Sequence, residues 1–195
     1  MVQNALRFDG VDDYVTIPHS ASLSLTSKGT IECWVKPKTL TQDAFATIVG
    51  KANSGLPSGI SYFIEWYQGN LHSGITNGST VNSVDVAPLA DTSWHHLAFV
   101  WDSTNLFFYI DGKLAIAPVK QTINAQVSQA FNLKIGGYGW ESNGLNSQEY
   151  NGIIDELRIW STDRTLAEIQ ATRNCEINST LSDLEANYHF NQGTA

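Results

Sequence analysis

The sequence predicts an all-β protein in which antiparallel strands form a two-layer sandwich. Short apolar runs alternate with clusters of Gly, Asn, Asp, Ser and Pro along the whole chain, and this spacing is typical of sandwiches and barrels. Aromatic residues make up 11% of the chain, and large flat side chains pack well on a pleated sheet. With 195 residues, 42% of them hydrophobic, the chain can bury a full core, so we place a single domain at residues 1–195.

Each predicted strand is an apolar run that ends at a turn-forming or strand-breaking residue. Pro37 ends the third run, while Asn77-Gly78 and Asp111-Gly112 are turn signals between later runs. The three runs between Trp94 and Ala117 predict an antiparallel meander. In chain order, the predicted strands cover residues 5–8, 14–17, 30–35, 46–51, 61–67, 71–76, 94–101, 106–110, 113–117, 131–136, 153–160 and 188–190.

One helix is predicted, near the C-terminus. Thr165 is followed three residues later by Glu168, which is the pattern of a capping box. The helix is expected to run from Leu166 to Arg173.

Charge and cysteine content exclude several classes of function. The net charge is −8, and an acidic chain repels nucleic acid and anionic membranes, whereas divalent cations complement it. The sequence contains no stretch of 18 apolar residues that could span a membrane. The two cysteines form no C-x-x-C motif, which argues against a zinc or redox site. Cys33 lies in an apolar strand, so it and Cys175 are either free or joined in one disulfide.

Four segments together resemble the laminin-G-like members of the concanavalin A-like lectin and glucanase superfamily. They follow the family's order and are residues 6–15, residues 30–37, residues 94–100 with 109–112, and residues 152–160 with the helix after them. The resemblance implies a jelly-roll sandwich of two antiparallel sheets. The tail, residues 184–193, resembles the segment that closes such modules in long bacterial surface or secreted proteins. We therefore expect a monomeric domain from a larger protein that is secreted or on the cell surface.

The acidic turn after the first strand is a candidate calcium site. Asp9 and Asp12 supply carboxylates, and Gly10 allows a tight turn that points carbonyls inward. Calcium prefers six to eight oxygen ligands of this kind. The resemblance adds Asp155, which in this fold lies beside the first hairpin; Asp13 is a weaker candidate. The alternative is a solvated turn in which the aspartates cap backbone N–H groups.

A second candidate site is the aromatic strand 61–67 with the strand that follows it. Alternation places Trp66 on one face and Glu65 and Tyr67 on the other, near His72. One face belongs to the core, and the other offers an aromatic ring beside a carboxylate. Sugar rings stack on aromatic planes while carboxylates bind hydroxyl groups, so these four residues are predicted to bind a glycan. The alternative is that both faces pack within the protein.

The glycine-rich segment 136–146 is the other candidate for ligand binding. It brings Tyr138 and Trp140 next to Glu141 and Asn143. A tryptophan on a loop either packs back on the protein or contacts a partner. Both alternatives stay open.

The sequence argues against catalysis. Hydrolases that resemble this fold place paired carboxylates on one strand as Glu-x-Asp-x-Glu or Glu-x-Asp-x-x-Glu, and neither pattern occurs. Asp155 and Glu156 are adjacent and are expected to point to opposite faces. The prediction is a non-catalytic carbohydrate-binding or adhesion module, stabilised by a structural calcium ion, whose partner is a glycan or a protein. The alternatives are a structural or protein-interaction module, and a glycoside hydrolase or lyase.

Overall fold

The computed structural model describes residues 4–42, 44–53, 57–138, 149–177 and 181–191. Within them, the chain forms β-strands and one α-helix, α1 (Leu166–Thr172). The strands are β1 (Leu6–Asp9), β2 (Val15–Ile17), β3 (Gly29–Pro37), β4 (Ala46–Ala52), β5 (Ile60–Tyr67), β6 (Asn70–Thr76), β7 (Val81–Val86), β8 (His95–Trp101), β9 (Asn105–Ile110), β10 (Lys113–Leu114), β11 (Val119–Lys120), β12 (Asn132–Ile135), β13 (Asn151–Trp160) and β14 (Leu184–Tyr188).

The strands form two antiparallel sheets. The first sheet has the order β1-β13-β3-β8-β9-β10, with β11 paired to β9 and β14 paired to β13. The second sheet has the order β2-β12-β4-β5-β6-β7. Residues from near the two chain ends share one strand, since Leu6 pairs with Ile154 of β13 and Tyr188 with Leu157. This arrangement confirms the predicted two-sheet jelly roll.

The core lies between the inner faces of the two sheets. In the first sheet Ile31, Cys33 and Val35 point inward, and in the second Ile64 and Trp66 do the same, all fully buried. Alternation along each strand explains this division. Burying a large apolar side chain contributes about 1.5–3 kcal/mol, so the shared core is what holds the two sheets together.

Some element boundaries differ from those expected. Strand β7 was not predicted, because only Val84 and Val86 of its residues are buried and it lies at the edge of the second sheet. β11 has two residues and was also not predicted. The last strand ends at Tyr188 rather than beginning there.

The helix is attached to the outer face of the first sheet. Thr165 and Glu168 form the predicted capping box. Beneath it, the fully buried Glu32 accepts hydrogen bonds from Arg164 Nη1 at 3.0 Å and Trp160 Nε1 at 2.9 Å. Burial raises the pKa of Glu32, but a hydrogen bond from His96 and nearby guanidinium charges outweigh it and leave the pKa lowered. The carboxylate thus stays ionised and joins the helix to the sheet.

The two cysteines are both free thiols. Cys33 is buried in the core, as its strand position predicted, and Cys175 is exposed. In the described part of the chain, α1 is too short to cross a membrane.

Candidate functional site

The outer face of the second sheet carries those side chains of β5 that point away from the core. Trp66 points inward, has no exposed surface and stacks on Tyr150 at 5.8 Å between ring centroids. It cannot reach a ligand, so its place in the predicted glycan site is corrected. Glu65 and Tyr67 point outward, as alternation requires. Tyr67 is partly exposed.

Glu65 and His72 form a pair at the centre of this face. They lie directly opposite each other on β5 and β6, and His72 Nδ1 donates a hydrogen bond to Glu65 Oε1 at 3.0 Å. Burial raises the pKa of Glu65, and the hydrogen bond and charge of His72 oppose this only in part. In the next strand, the exposed Asp85 lies opposite His72. The three polar side chains therefore form a row across three strands.

Aromatic rings border the row. Tyr67 lies 4.8 Å from Phe45 and 5.3 Å from His72, measured between ring centroids. Phe63 lies 4.9 Å from His72. Phe45 has a φ of 65°, a left-handed conformation that is uncommon outside glycine. The two rings of Phe45 and Tyr67, both partly exposed, form an apolar edge beside the polar row.

Tyr138 covers another part of the same face. It is 1% exposed and packs with Ala52, Ile60 and Phe63, so its predicted place among the ligand-binding residues is corrected. A Cβ atom added at Gly50 would lie 2.8 Å from the Tyr138 ring, so this glycine makes room for it. The predicted ligand residues Trp140, Glu141 and Asn143 lie outside the described residues, so their predicted role is still a prediction.

The chemistry of this outer face suits a polyhydroxylated ligand. A partly exposed ring such as Tyr67 offers a surface for the C–H face of a sugar, and Asp85 and His72 offer hydrogen-bonding groups beside it. Sequence reasoning found Tyr67 and His72 but missed Phe45 and Asp85. Glu65 lies on the predicted face, but it is 3% exposed and bonds to His72. Asp85 lies on a strand that was not predicted, and Phe45 precedes β4 in a conformation that no sequence pattern indicates.

The acidic turn carries carboxylates of the kind that bind calcium, but the residues that lie together differ from those predicted. Carboxylate oxygens of the exposed residues Asp9, Asp12 and Asp13 lie within 4.8 Å of one another. Gly10 has a φ of 79°, so the turn needs the freedom of glycine there. Asp9 also accepts a hydrogen bond from the Val11 amide at 2.8 Å, and Asp13 accepts one from the Asp9 amide at 3.1 Å. These bonds belong to the solvated-turn alternative, yet they leave other carboxylate oxygens for a cation.

Asp155 is not part of that turn, contrary to the expectation from the resemblance. Asp9 pairs with Asn151, and Asp155 lies about 13 Å further along β13 at 3.3 Å per residue. Its partner across the sheet is Trp34 on β3. The residues that fit a calcium ion are therefore Asp9, Asp12 and Asp13.

Asp155 and Glu156 also do not point to opposite faces. The register between β13 and β3 shifts between Asp155 and Arg158, and Glu156 has a φ of 49°. The extra residue of such a bulge interrupts the alternation of a strand. Both carboxylates consequently line one cavity on the outer face of the first sheet.

Comparisons with known proteins agree with this architecture. A laminin-G family model, described as the concanavalin A-like lectin/glucanases superfamily, matches residues 9–170. No match was found among curated proteins.

Similar solved structures include several sugar binders. A candidate carbohydrate-binding protein from Bacteroides ovatus has a TM-score of 0.75 and 16% identity over 96% of this chain. Domain 4 of the extracellular arabinanase AbnA from Geobacillus stearothermophilus, solved with arabinotriose, has a TM-score of 0.63 and 20% identity, covering 86% of this chain and 75% of its own. The CBM40 domain of a Ruminococcus gnavus sialidase, bound to α2,3-sialyllactose, has a TM-score of 0.63 and 16% identity, covering 86% and 96%. This chain spans 51% of the Bacteroides protein.

Proposed function

Because the chain belongs to the laminin-G branch of the concanavalin A-like lectin/glucanases superfamily, we propose that it is a non-catalytic carbohydrate-binding or adhesion module. The single observation that carries the proposal is the arrangement of side chains on the outer face of the second sheet. There the partly exposed rings of Tyr67 and Phe45 border the polar row of Glu65, His72 and Asp85. The sugars bound by the structurally similar domains support the same class of ligand.

A binding role agrees better with this row than catalysis does. Glycosidases need two carboxylates that both reach the sugar. Here Glu65 is 3% exposed and its Oε1 accepts a hydrogen bond from His72, which separates it from Asp85. We expect an oligosaccharide that binds to be recovered intact after incubation with the protein. Cleavage products would favour the hydrolase alternative.

The wider role follows from the module's size relative to similar proteins. Since the chain spans about half of the Bacteroides protein, we propose that it works as one part of a secreted or surface protein. There it would attach that protein, as a monomeric unit, to a glycan or to a protein partner.

A glycan array with two matched variants tests the proposal. Tyr67→Ala removes a partly exposed ring from the proposed site, and Phe107→Ala removes one from the outer face of the first sheet. Truncating an aromatic residue that dominates a binding site costs more than about 1 kcal/mol. We therefore expect Tyr67→Ala to lose about fivefold or more in affinity, while Phe107→Ala binds as the parent does. Equal losses in both variants, or no glycan bound by the parent, would contradict the proposal.

A further inference from the structure

A cavity on the opposite side of the molecule is not used by the proposed function. It has a volume of about 390 Å³ and lies on the outer face of the first sheet, between β13, the segment after α1 and the chain after β14. Trp34, Trp94 and Asp155 are among the residues that line it, and both indoles are partly exposed. Sites for small ligands begin at about 300 Å³, so this cavity is large enough for one.

The indole of Trp34 is held by two contacts, and Trp94 lies near it on the same face. Trp34 Nε1 donates a hydrogen bond to the carbonyl oxygen of Arg173 at 2.8 Å. Its ring also meets His96 edge to face, with 5.5 Å between centroids. Trp94 precedes β8 by one residue and lies diagonally across from Trp34, because Trp34 pairs with His96. The ring of Trp34 thus presents a preformed surface to the cavity, and Trp94 lines the same cavity.

Asp155 contributes a buried carboxylate, and only one of its two oxygens accepts a hydrogen bond from the described residues. Its side chain is 2% exposed, and Oδ1 accepts a hydrogen bond from the Glu156 amide at 2.9 Å. The other oxygen accepts no hydrogen bond from any residue within the described ranges. An ionised carboxylate in this position is costly unless a donor or cation satisfies it.

The charged groups of β13 and the C-terminal segment are already paired with other partners. Arg158 Nη2 and His189 Nδ1 both donate to Glu156, each at 2.7 Å. Burial raises the pKa of Asp155 to about 6; the Glu156 charge adds to this, while the amide bond and the charges of His189 and Arg158 oppose it.

Arg173 and Glu176 also line the cavity, and both have neighbours other than Asp155. Arg173 lies against Gly112 in the β9–β10 turn. Glu176 accepts a hydrogen bond from Asn191 Nδ2 at 2.8 Å, and Glu32 on β3 binds Arg164 beneath α1. None of these supplies a cation to the open oxygen of Asp155.

From this arrangement we propose that the cavity binds a pyranose bearing a free primary ammonium group. The ammonium donates to the open oxygen of Asp155, and the ring lies against the indoles of Trp34 and Trp94. Cations are attracted to indole faces within about 6 Å of the ring centroid, and sugar C–H faces stack on the same surfaces. The choice of a sugar rests on the proposed function, whereas the choice of an ammonium rests on Asp155.

A ring fills this cavity better than a linear chain does. A lysine side chain would reach Asp155 but would leave most of the roughly 390 Å³ to water. A hexosamine offers the ammonium together with a rigid ring for the two indoles. Ring hydroxyls can also bond to Asn174, which lines the same cavity.

Binding is expected to depend on pH with a definite sign. The ammonium attracts the ionised form of Asp155, whose pKa is about 6. Affinity therefore falls as pH decreases through this value, and it falls again at high pH where the ligand amine loses its proton.

Calorimetric titration with glucosamine oligosaccharides tests the proposal. Fully N-acetylated oligosaccharides of equal length and oligolysine serve as comparison ligands. The protein variants are Asp155→Asn, Trp94→Ala, the control Phe107→Ala and, for the other face, Tyr67→Ala. Cys175 lines the cavity and is exposed while Cys33 is buried, so protection of Cys175 from alkylation reports occupancy of this site.

We expect the glucosamine oligosaccharides alone to bind and to protect Cys175. Asp155→Asn and Trp94→Ala should each weaken this binding about tenfold or more. The control variant Phe107→Ala, at a residue that does not line the cavity, should leave it unchanged. The proposal is overturned by equal binding of the acetylated forms, by binding of oligolysine alone, or by no binding. Loss in Tyr67→Ala without protection of Cys175 would also overturn it, while supporting the proposed function.

Discussion

At the scale of single residues, the carboxylate of Asp155 leads to a prediction about the stability of the folded protein. Its pKa in the folded protein is about 6, above the ordinary value of 3.8. Ionisation therefore costs more in the folded state, and the penalty appears as pH rises above 3.8 and is complete above about 6. Asp155→Asn removes it, so the variant should be more stable than the parent at neutral pH, by on the order of 1 kcal/mol.

Thermal unfolding across a pH series measures this difference. The unfolding midpoint of Asp155→Asn should exceed that of the parent by about 2–4 °C at neutral pH. The two should converge well below pH 3.8, where Asp155 is protonated in both states. A difference that is constant with pH would show that the substitution acts through packing instead of charge.

Single residues also show where sequence reasoning succeeds and where it fails. Alternation correctly placed Glu65 and Tyr67 on one face of β5 and Trp66 on the other. It did not indicate which of these two faces is buried. Trp66 lies in the core because it shares the inner face of β5 with Tyr62 and Ile64. Alternation failed at Glu156, because one extra residue in a bulge redirects every side chain after it.

At the scale of elements, two glycines with positive φ provide a matched comparison. Gly136 follows β12 with a φ of 78°, and Gly69 lies in the β5–β6 turn with a φ of 83°. A Cβ atom at Gly136 would lie 2.0 Å from the Phe8 ring of β1, whereas one at Gly69 meets nothing within 4 Å. Both substitutions to alanine strain the backbone, but only the first also forces Phe8 to move.

Denaturant unfolding of the two alanine variants separates these effects. Gly69→Ala should cost about 1 kcal/mol from backbone strain alone. Gly136→Ala should cost about 1–3 kcal/mol more, because overpacking displaces a buried ring. Equal losses would mean that β1 shifts freely at the edge of the first sheet, contrary to its pairing with β13.

Elements that pack strongly were predicted more successfully than elements at edges. The runs that became β3, β5 and β8 are rich in apolar residues and are buried along nearly their whole length, because both of their sheet faces are largely covered. β7 has a polar outer face and one free edge, so its composition resembles that of a loop. The helix was found from its capping box alone, because that signal is local.

For the whole molecule, the calcium prediction concerns how the N-terminal turn is held. Asp9, Asp12 and Asp13 bring three negative charges together at the end of β1, and a bound calcium ion would relieve their repulsion. A ligand that binds only the folded state raises the unfolding midpoint. Added calcium should therefore raise the midpoint of the parent and chelator should lower it.

Two variants make this experiment specific. Asp12→Asn should lose most of the calcium response, and Asp155→Asn should keep it, because Asp155 lies elsewhere on β13. If neither calcium nor chelator changes the unfolding midpoint of the parent, the turn does not bind calcium and the solvated-turn alternative is correct.

The overall architecture was predictable because it depends on an average property of many strands. A local error in one strand does not change two apolar layers that close over a common core. The ligand sites depend on single contacts, such as the ring of Phe45 beside Tyr67 or the open oxygen of Asp155. Such contacts arise from register and bulges, and the fold alone does not determine them.

The most direct test of the account is to map glycan binding residue by residue by NMR. A ¹⁵N-labelled sample is titrated with the neutral glycan that the array selects, and backbone and side-chain shifts are followed. We expect the largest changes at Tyr67, His72 and Asp85, with little change on β9 around Phe107. Saturable changes confined to the outer face of the first sheet, with the β5–β6–β7 face unaffected, would contradict the proposed function.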